Sequence, residues 1–192
     1  MITLVFFLEG PSEKALLQGL LPYLLPMERV TPRFVVFEGK QDLERQLVRR
    51  MRNWQASNSH FIVLRDQDSA DCRDVKRRLV ELCREAHHPK ALVRVACHEI
   101  ESWYLGDLAA VERGLEINGV ARRQDTRKFR DPDHLGSPSR ELESLTGGVY
   151  QKVGGSRAIA PHLRLDGTNR SHSFAVFVSG VARMVESALA GV

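Results

Sequence analysis

The sequence predicts an α/β fold: a mainly parallel four-stranded sheet flanked by helices and extended by a helical C-terminal annex. Three observations predict it. Short apolar runs rich in β-branched and aromatic residues occur four times before residue 105. Each is followed by a stretch whose apolar residues repeat at helical spacing, the alternation that builds a helix-covered parallel sheet. The rest of the chain carries helical patterns and no strong strand. The expected organisation is an α/β core over residues 1–105 and a helical extension over 106–192 packed on it, one domain overall, and 192 residues suffice for one good-sized core.

Ile2–Leu8 is a compact apolar run suited to a buried strand. It lacks the basic segment and cleavage site of a secretory signal and meets Glu9 too early to span a bilayer. Gly10-Pro11-Ser12-Glu13 opens a helix, since proline is tolerated in the first turn and an acid is favourable there. This leucine-rich helix is expected to run toward Pro22 or Pro26. Arg33–Phe37 reads as the second strand. Asp42 to Trp54 is helical, with Leu43, Leu47, Met51 and Trp54 on one side and Arg45, Arg49 and Arg52 on the other. Phe61–Leu64 is the third strand and ends in Arg65-Asp66-Gln67-Asp68. Val75, Leu79, Leu82, Cys83 and Ala86 mark the next helix. Ala91–Cys97 is the fourth strand and runs into His98-Glu99-Ile100-Glu101-Ser102-Trp103-Tyr104.

Beyond it, Asp107–Ile117, Pro138–Leu145, Ser156–Leu165 and a final segment from Ser173 to Leu189 read as helices. Residues 121–138 read as a long polar, basic loop, and Gly147-Gly148 and Gly154-Gly155 as flexible loop.

Composition narrows the function classes. Hydrophobic residues make up 43% and charged ones 27%, ordinary for a globular chain. A net charge of +4 leans toward a phosphate-bearing partner without a histone-like excess. Cys72, Cys83 and Cys97 are scattered and odd in number, which points to reduced thiols in a cytoplasm. Gly39-Lys40 lacks the earlier glycine of a nucleotide-triphosphate loop, no G-x-G-x-x-G follows the first strand, and the histidines show no zinc-ligand spacing. No membrane partner is expected, and a homo-oligomer stays open.

The acids carry the chemistry. In a parallel sheet the loops after the strands open on one edge, where ligands bind. Glu9 ends the first strand, Glu38 follows the second, Asp66 and Asp68 the third, and Glu99 and Glu101 the fourth. Crowded carboxylates repel one another, and a cation removes the penalty. Glu9, Asp66 and Asp68 are therefore expected to hold a divalent metal ion, Mg²⁺ or Mn²⁺, suited to a phosphodiester substrate. Glu38 and Glu99 taken singly read as turn or cap residues, and Glu13 as a first-turn acid. Lys152 is a candidate to neutralise a transition-state phosphate, and His98 to shuttle a proton. Arg122, Arg123, Arg127, Lys128 and Arg130 crowd the long loop around Phe129, a pattern that can track a phosphate backbone and stack a base. Trp103 and Tyr104 read as core.

Leu8-Glu9-Gly10-Pro11-Ser12-Glu13 with Arg65-Asp66-Gln67-Asp68 resembles the Toprim domain of topoisomerases, primases and overcoming-lysogenization-defect nucleases. With His98-Glu99-Ile100-Glu101-Ser102-Trp103-Tyr104-Leu105, Tyr150-Gln151-Lys152 and Ser171-His172-Ser173-Phe174, the chain more closely resembles the Toprim-like domain of unknown function 4276 family, found beside ATPases in bacterial defence loci. The resemblance spans nearly the whole chain. It implies a Toprim-like fold, with Glu9 as general acid or base and Asp66 and Asp68 holding Mg²⁺. Glu99 and Glu101 become candidates for a second metal or for shaping the site. The implied activity is a Mg²⁺- or Mn²⁺-dependent nuclease on DNA or RNA in phage defence, with an ATPase as a partner protein. A non-catalytic nucleic-acid-binding or ATPase-partner module is the alternative. A phosphoacceptor switch is a weaker one, disfavoured by the acids after the fourth strand.

Overall fold

The computed structural model describes residues 1–191. Its centre is a sheet of four parallel strands: β1 (Ile2–Leu8), β2 (Val30–Val36), β3 (Ser59–Asp66) and β4 (Leu92–Ala96), in the order β2-β1-β3-β4. Helices α1 (Pro11–Leu24), α2 (Lys40–Arg52) and α3 (Cys72–Glu85) make the crossovers. The second strand begins earlier than the apolar run suggests. As an edge strand it is only half covered, so Thr31, Pro32 and Arg33 sit in it without spoiling a core, and proline is tolerated at such an edge.

β1 is buried on both faces, which is why it reads as one unbroken apolar run. Its even residues Leu4, Phe6 and Leu8 enter a layer shared with α1 and the C-terminal half. Val5 and Phe7 enter the opposite layer, filled by Leu43, Leu47 and Met51 of α2 and Leu79, Leu82 and Cys83 of α3. Arg45, Arg49 and Arg52 stay at the solvent side of α2, as their spacing implies. Asp71 caps α3, its carboxylate accepting from the backbone N–H of Arg73 and Asp74.

The C-terminal half is built of α4 (Glu101–Leu105), α5 (Leu108–Gly114), α6 (Pro138–Leu145), α7 (Lys152–Ile159) and α8 (His172–Ala190), with three short 3-10 turns. Trp103 of α4 packs on Phe174 and Phe177 of α8, with ring centroids 5.4 and 5.0 Å away. Two expectations need correcting. Gly154-Gly155 is not loop but lies inside α7, because Gly155 passes so close to the Tyr150 ring that a β-carbon would collide with it. Phe129 does not offer a stacking face. It is 1% exposed and pins the 121–138 segment to the core, with Arg123 and Lys128 folded over its ring.

Candidate metal centre

The chain leaves β1 for β2 on one side and returns to β3 on the other, so the carboxyl ends of β1 and β3 face a topological switch point. Glu9 and Asp66 emerge there side by side. Glu9 is partly buried, and its Oε2 has no hydrogen-bond partner among the described residues. Asp66 is 9% exposed, and its Oδ1 accepts the backbone N–H of Ile100 at 2.9 Å. Asp68 has a left-handed backbone, φ 57°, which aspartate tolerates better than most residues. Its N–H donates to His98 O at 2.8 Å, while His98, also left-handed, places Nδ1 3.2 Å from Asp68 O. The exits of β3 and β4 are thus laced together.

Glu13 joins the group, and sequence reasoning underrated it. It is 3% exposed and, among the described residues, only Ser12 Oγ donates to it, at 3.2 Å. Gly10 makes room, since a β-carbon there would sit 3.3 Å from Glu13 Oε2. The available signal was the spacing: a residue four after Glu9, in the first turn of a helix that starts at once, returns to the same edge.

Burial and repulsion from neighbouring acids raise the proton affinity of Glu9, Asp66 and Glu101. The Glu9 carboxyl is pushed up to about 7, chiefly by burial, then by Glu13 and Asp68, against the pull of Arg65. Asp66 lies well above the usual range, first from burial and then from Glu13, Glu101, Glu9 and Asp68. Glu101 is 1% exposed; its Oε1 accepts from Tyr150 Oη at 2.8 Å, its Oε2 has no partner, and burial raises it too. Two of the spaced motifs are thereby explained, since Tyr150 meets Glu101, and Ser173 Oγ accepts from Trp103 Nε1 at 2.8 Å.

Cations of the chain already touch several of the acids. Lys40 Nζ lies 2.8 Å from Asp68, and Arg65, buried and paired with Glu44, lies 3.8 Å from Glu9. Arg65 is a further residue the sequence did not single out. Glu99 is turned away from the group: its two oxygens accept the N–H and Oγ of Ser139 at the start of α6, with Lys152 Nζ at 3.8 Å. Burial works against the Lys152 charge, but Glu101, Glu99, Asp66 and Glu13 outweigh it and raise its pKa. Glu38 is exposed and takes no part. Among the described residues, no three His, Cys, Asp or Glu side chains stand in an ion-holding arrangement.

The donor set nevertheless suits a hard cation. It is all carboxylate oxygen, and Glu9 and Glu101 each keep a buried oxygen without a partner. One consequence is measurable without metal. The Glu9 carboxyl is neutral at low pH in both states, and its charge costs stability as pH rises from its ordinary 4.5 through about 7. In EDTA, the melting temperature of Glu9→Gln should therefore fall less than the parent's between those pH values. Equal slopes would mean that Glu9 is not crowded.

The fold is similar to the C-terminal region of the Burkholderia pseudomallei OLD protein, with a TM-score of 0.55, 16% sequence identity, 96% of this chain covered and 97% of that one. It is also similar to the C-terminal region of the Xanthomonas campestris pv. campestris OLD protein, with a TM-score of 0.50, 15% identity, 97% of this chain and 96% of that one. A sequence search of curated proteins gives no match. The family model described as "Domain of unknown function (DUF4276)" matches residues 8–182, and the chain belongs to that family.

Proposed function

We propose that this chain is a divalent-metal-dependent phosphodiesterase, a nuclease acting on DNA or RNA in defence against foreign genetic elements. The observation that carries the proposal is the convergence of Glu9, Glu13, Asp66 and Asp68 at the switch point of a parallel sheet, each electrostatically coupled to others of the group. The fold likeness to OLD C-terminal regions supports it as analogy.

Asp66 and Asp68, with Glu9 and the buried Glu13 beside them, would hold Mg²⁺ or Mn²⁺. When bound, such an ion polarises phosphorus–oxygen bonds and makes water a better nucleophile. Glu9, whose carboxyl burial and neighbouring acids push up to about 7 in the metal-free chain, would take the proton of the attacking water. The water oxygen bonds to phosphorus as the bridging phosphorus–oxygen bond breaks, and the departing oxygen takes a proton from solvent. Lys152, kept charged by the surrounding carboxylates, would face the extra negative charge. Arg65 stands 3.8 Å from Glu9 without a hydrogen bond, and its charge draws the Glu9 proton affinity down.

A non-catalytic nucleic-acid or ATPase-partner module is the second reading, favoured by the Lys40 ammonium already seated on Asp68. Cleavage of single- and double-stranded DNA and RNA in Mg²⁺, Mn²⁺ and EDTA separates the two. The enzyme reading expects metal-dependent cleavage, lowered at least about 100-fold in Glu9→Gln. Nucleic-acid binding that ignores EDTA and survives Asp66→Asn, with no cleavage alone or with an ATPase partner, would favour the module.

A further inference from the structure

We infer that Lys40 is a phosphate-binding residue, held on Asp68 until a divalent cation takes that carboxylate and frees the ammonium for the substrate's backbone. This rests on the metal-dependent reading above. Lys40 is the first residue of α2, placed there by Gly39, whose φ of 93° favours glycine. Its Nζ lies 2.8 Å from Asp68 Oδ2, and its side chain is 46% exposed. Lys40 and Asp68 line an open cleft of about 470 Å³, together with Ser137, Ser139 and Arg140. Arg140 is exposed and forms no ion pair among the described residues.

The cleft combines two cations and several hydroxyls, the donors that phosphate oxygens require. It also holds two carboxylates, Asp68 and Glu99, which repel an anion. Glu99 is already satisfied by Ser139. Among the described residues, Asp68 is countered by Lys40 alone, on a flexible and half-exposed stem. Asp66, Glu9 and Glu13 crowd the same edge, so a doubly charged ion gains more from the group than one ammonium does. Once displaced, Lys40 remains in the cleft without its carboxylate, and a phosphate is the counter-ion that fits. Linkage makes the effect mutual: an anion that captures Lys40 unmasks Asp68, so metal and phosphodiester each raise the other's affinity.

The test compares the full chain with Lys40→Met and Lys40→Arg. Mn²⁺ binding is titrated by electron paramagnetic resonance without nucleic acid. Binding of labelled duplex DNA is then measured over a salt series in Ca²⁺ and in EDTA. Lys40→Met should bind Mn²⁺ roughly two- to five-fold tighter, the scale of a half-exposed ion pair. In Ca²⁺ it should bind DNA more weakly, with a salt slope shallower by about one, while in EDTA the substitution changes little. Lys40→Arg should keep the parent's slope. Unchanged or weaker Mn²⁺ binding, or an equal loss of DNA binding with and without Ca²⁺, overturns the inference while leaving the metal site standing. A parent that binds no Mn²⁺, or binds it equally after Asp66→Asn, overturns the metal reading itself and the inference with it.

Discussion

Asp66→Asn should abolish Mn²⁺ binding and yet raise the melting temperature of the metal-free protein. Asparagine keeps an oxygen to accept the Ile100 N–H, so the local fold survives. It removes a charge that is buried beside Glu13, Glu101, Glu9 and Asp68, whose carboxyl burial and repulsion hold well above its ordinary range. A carboxyl raised in the folded state costs stability once pH climbs past its unfolded value, so the gain appears at neutral and higher pH and vanishes in acid. At this length each 1 kcal/mol of gain reads as about 2–4 °C in melting temperature. Metal affinity should fall by at least about 100-fold, more than is typical for a group that merely supports a ligand. A lower melting temperature at pH 8 in EDTA would mean that Asp66 is stabilised by a contact, not strained by its neighbours.

Ser173→Ala should destabilise the chain by about 2–4 kcal/mol, although it deletes one small polar atom. Ser173 Oγ accepts from Trp103 Nε1 at 2.8 Å and from the Cys97 N–H at 3.3 Å, and donates to Asp133 Oδ1 at 3.3 Å. Asp133 in turn receives Ser171 Oγ at 2.6 Å and the Ser173 N–H at 2.7 Å, tying the long loop to the start of α8. Alanine leaves the indole and the Cys97 amide without partners where water is scarce, and such orphaned donors are costly. Urea unfolding measures the loss, and Ser173→Thr, which retains the hydroxyl, should recover part of it. A loss below about 0.5 kcal/mol would show that the network is incidental.

The α/β core was legible because both of its periodicities are strong. β1 is an unbroken apolar run because it is buried on both faces, and α2 shows its stripe because one face meets the core. The candidate acids were legible because a parallel sheet sends all its strand ends to one edge. What the pattern hid were contacts between distant segments. That Glu99 would turn to Ser139, that Tyr150 would reach Glu101, and that Lys40 would sit on Asp68 depends on how the C-terminal half and α2 fold over the edge. Glu13 was masked by its own plausibility, since an acid in a first helical turn needs no further explanation. Phe129 misled because aromatics among basic residues also serve as anchors, and only packing separates an anchor from a stacking platform. Gly154-Gly155 misled because local propensity disfavours a helix that the close packing against Tyr150 then fixes.

The most direct test of a metal held by Glu9, Asp66 and Asp68 is anomalous X-ray scattering from crystals of the chain soaked in Mn²⁺. A manganese peak in coordinating contact with Asp66 and Asp68, close to Glu9 and with Lys40 moved off Asp68, is the predicted result. No peak at that edge under saturating Mn²⁺, with Lys40 still seated on Asp68, would contradict it.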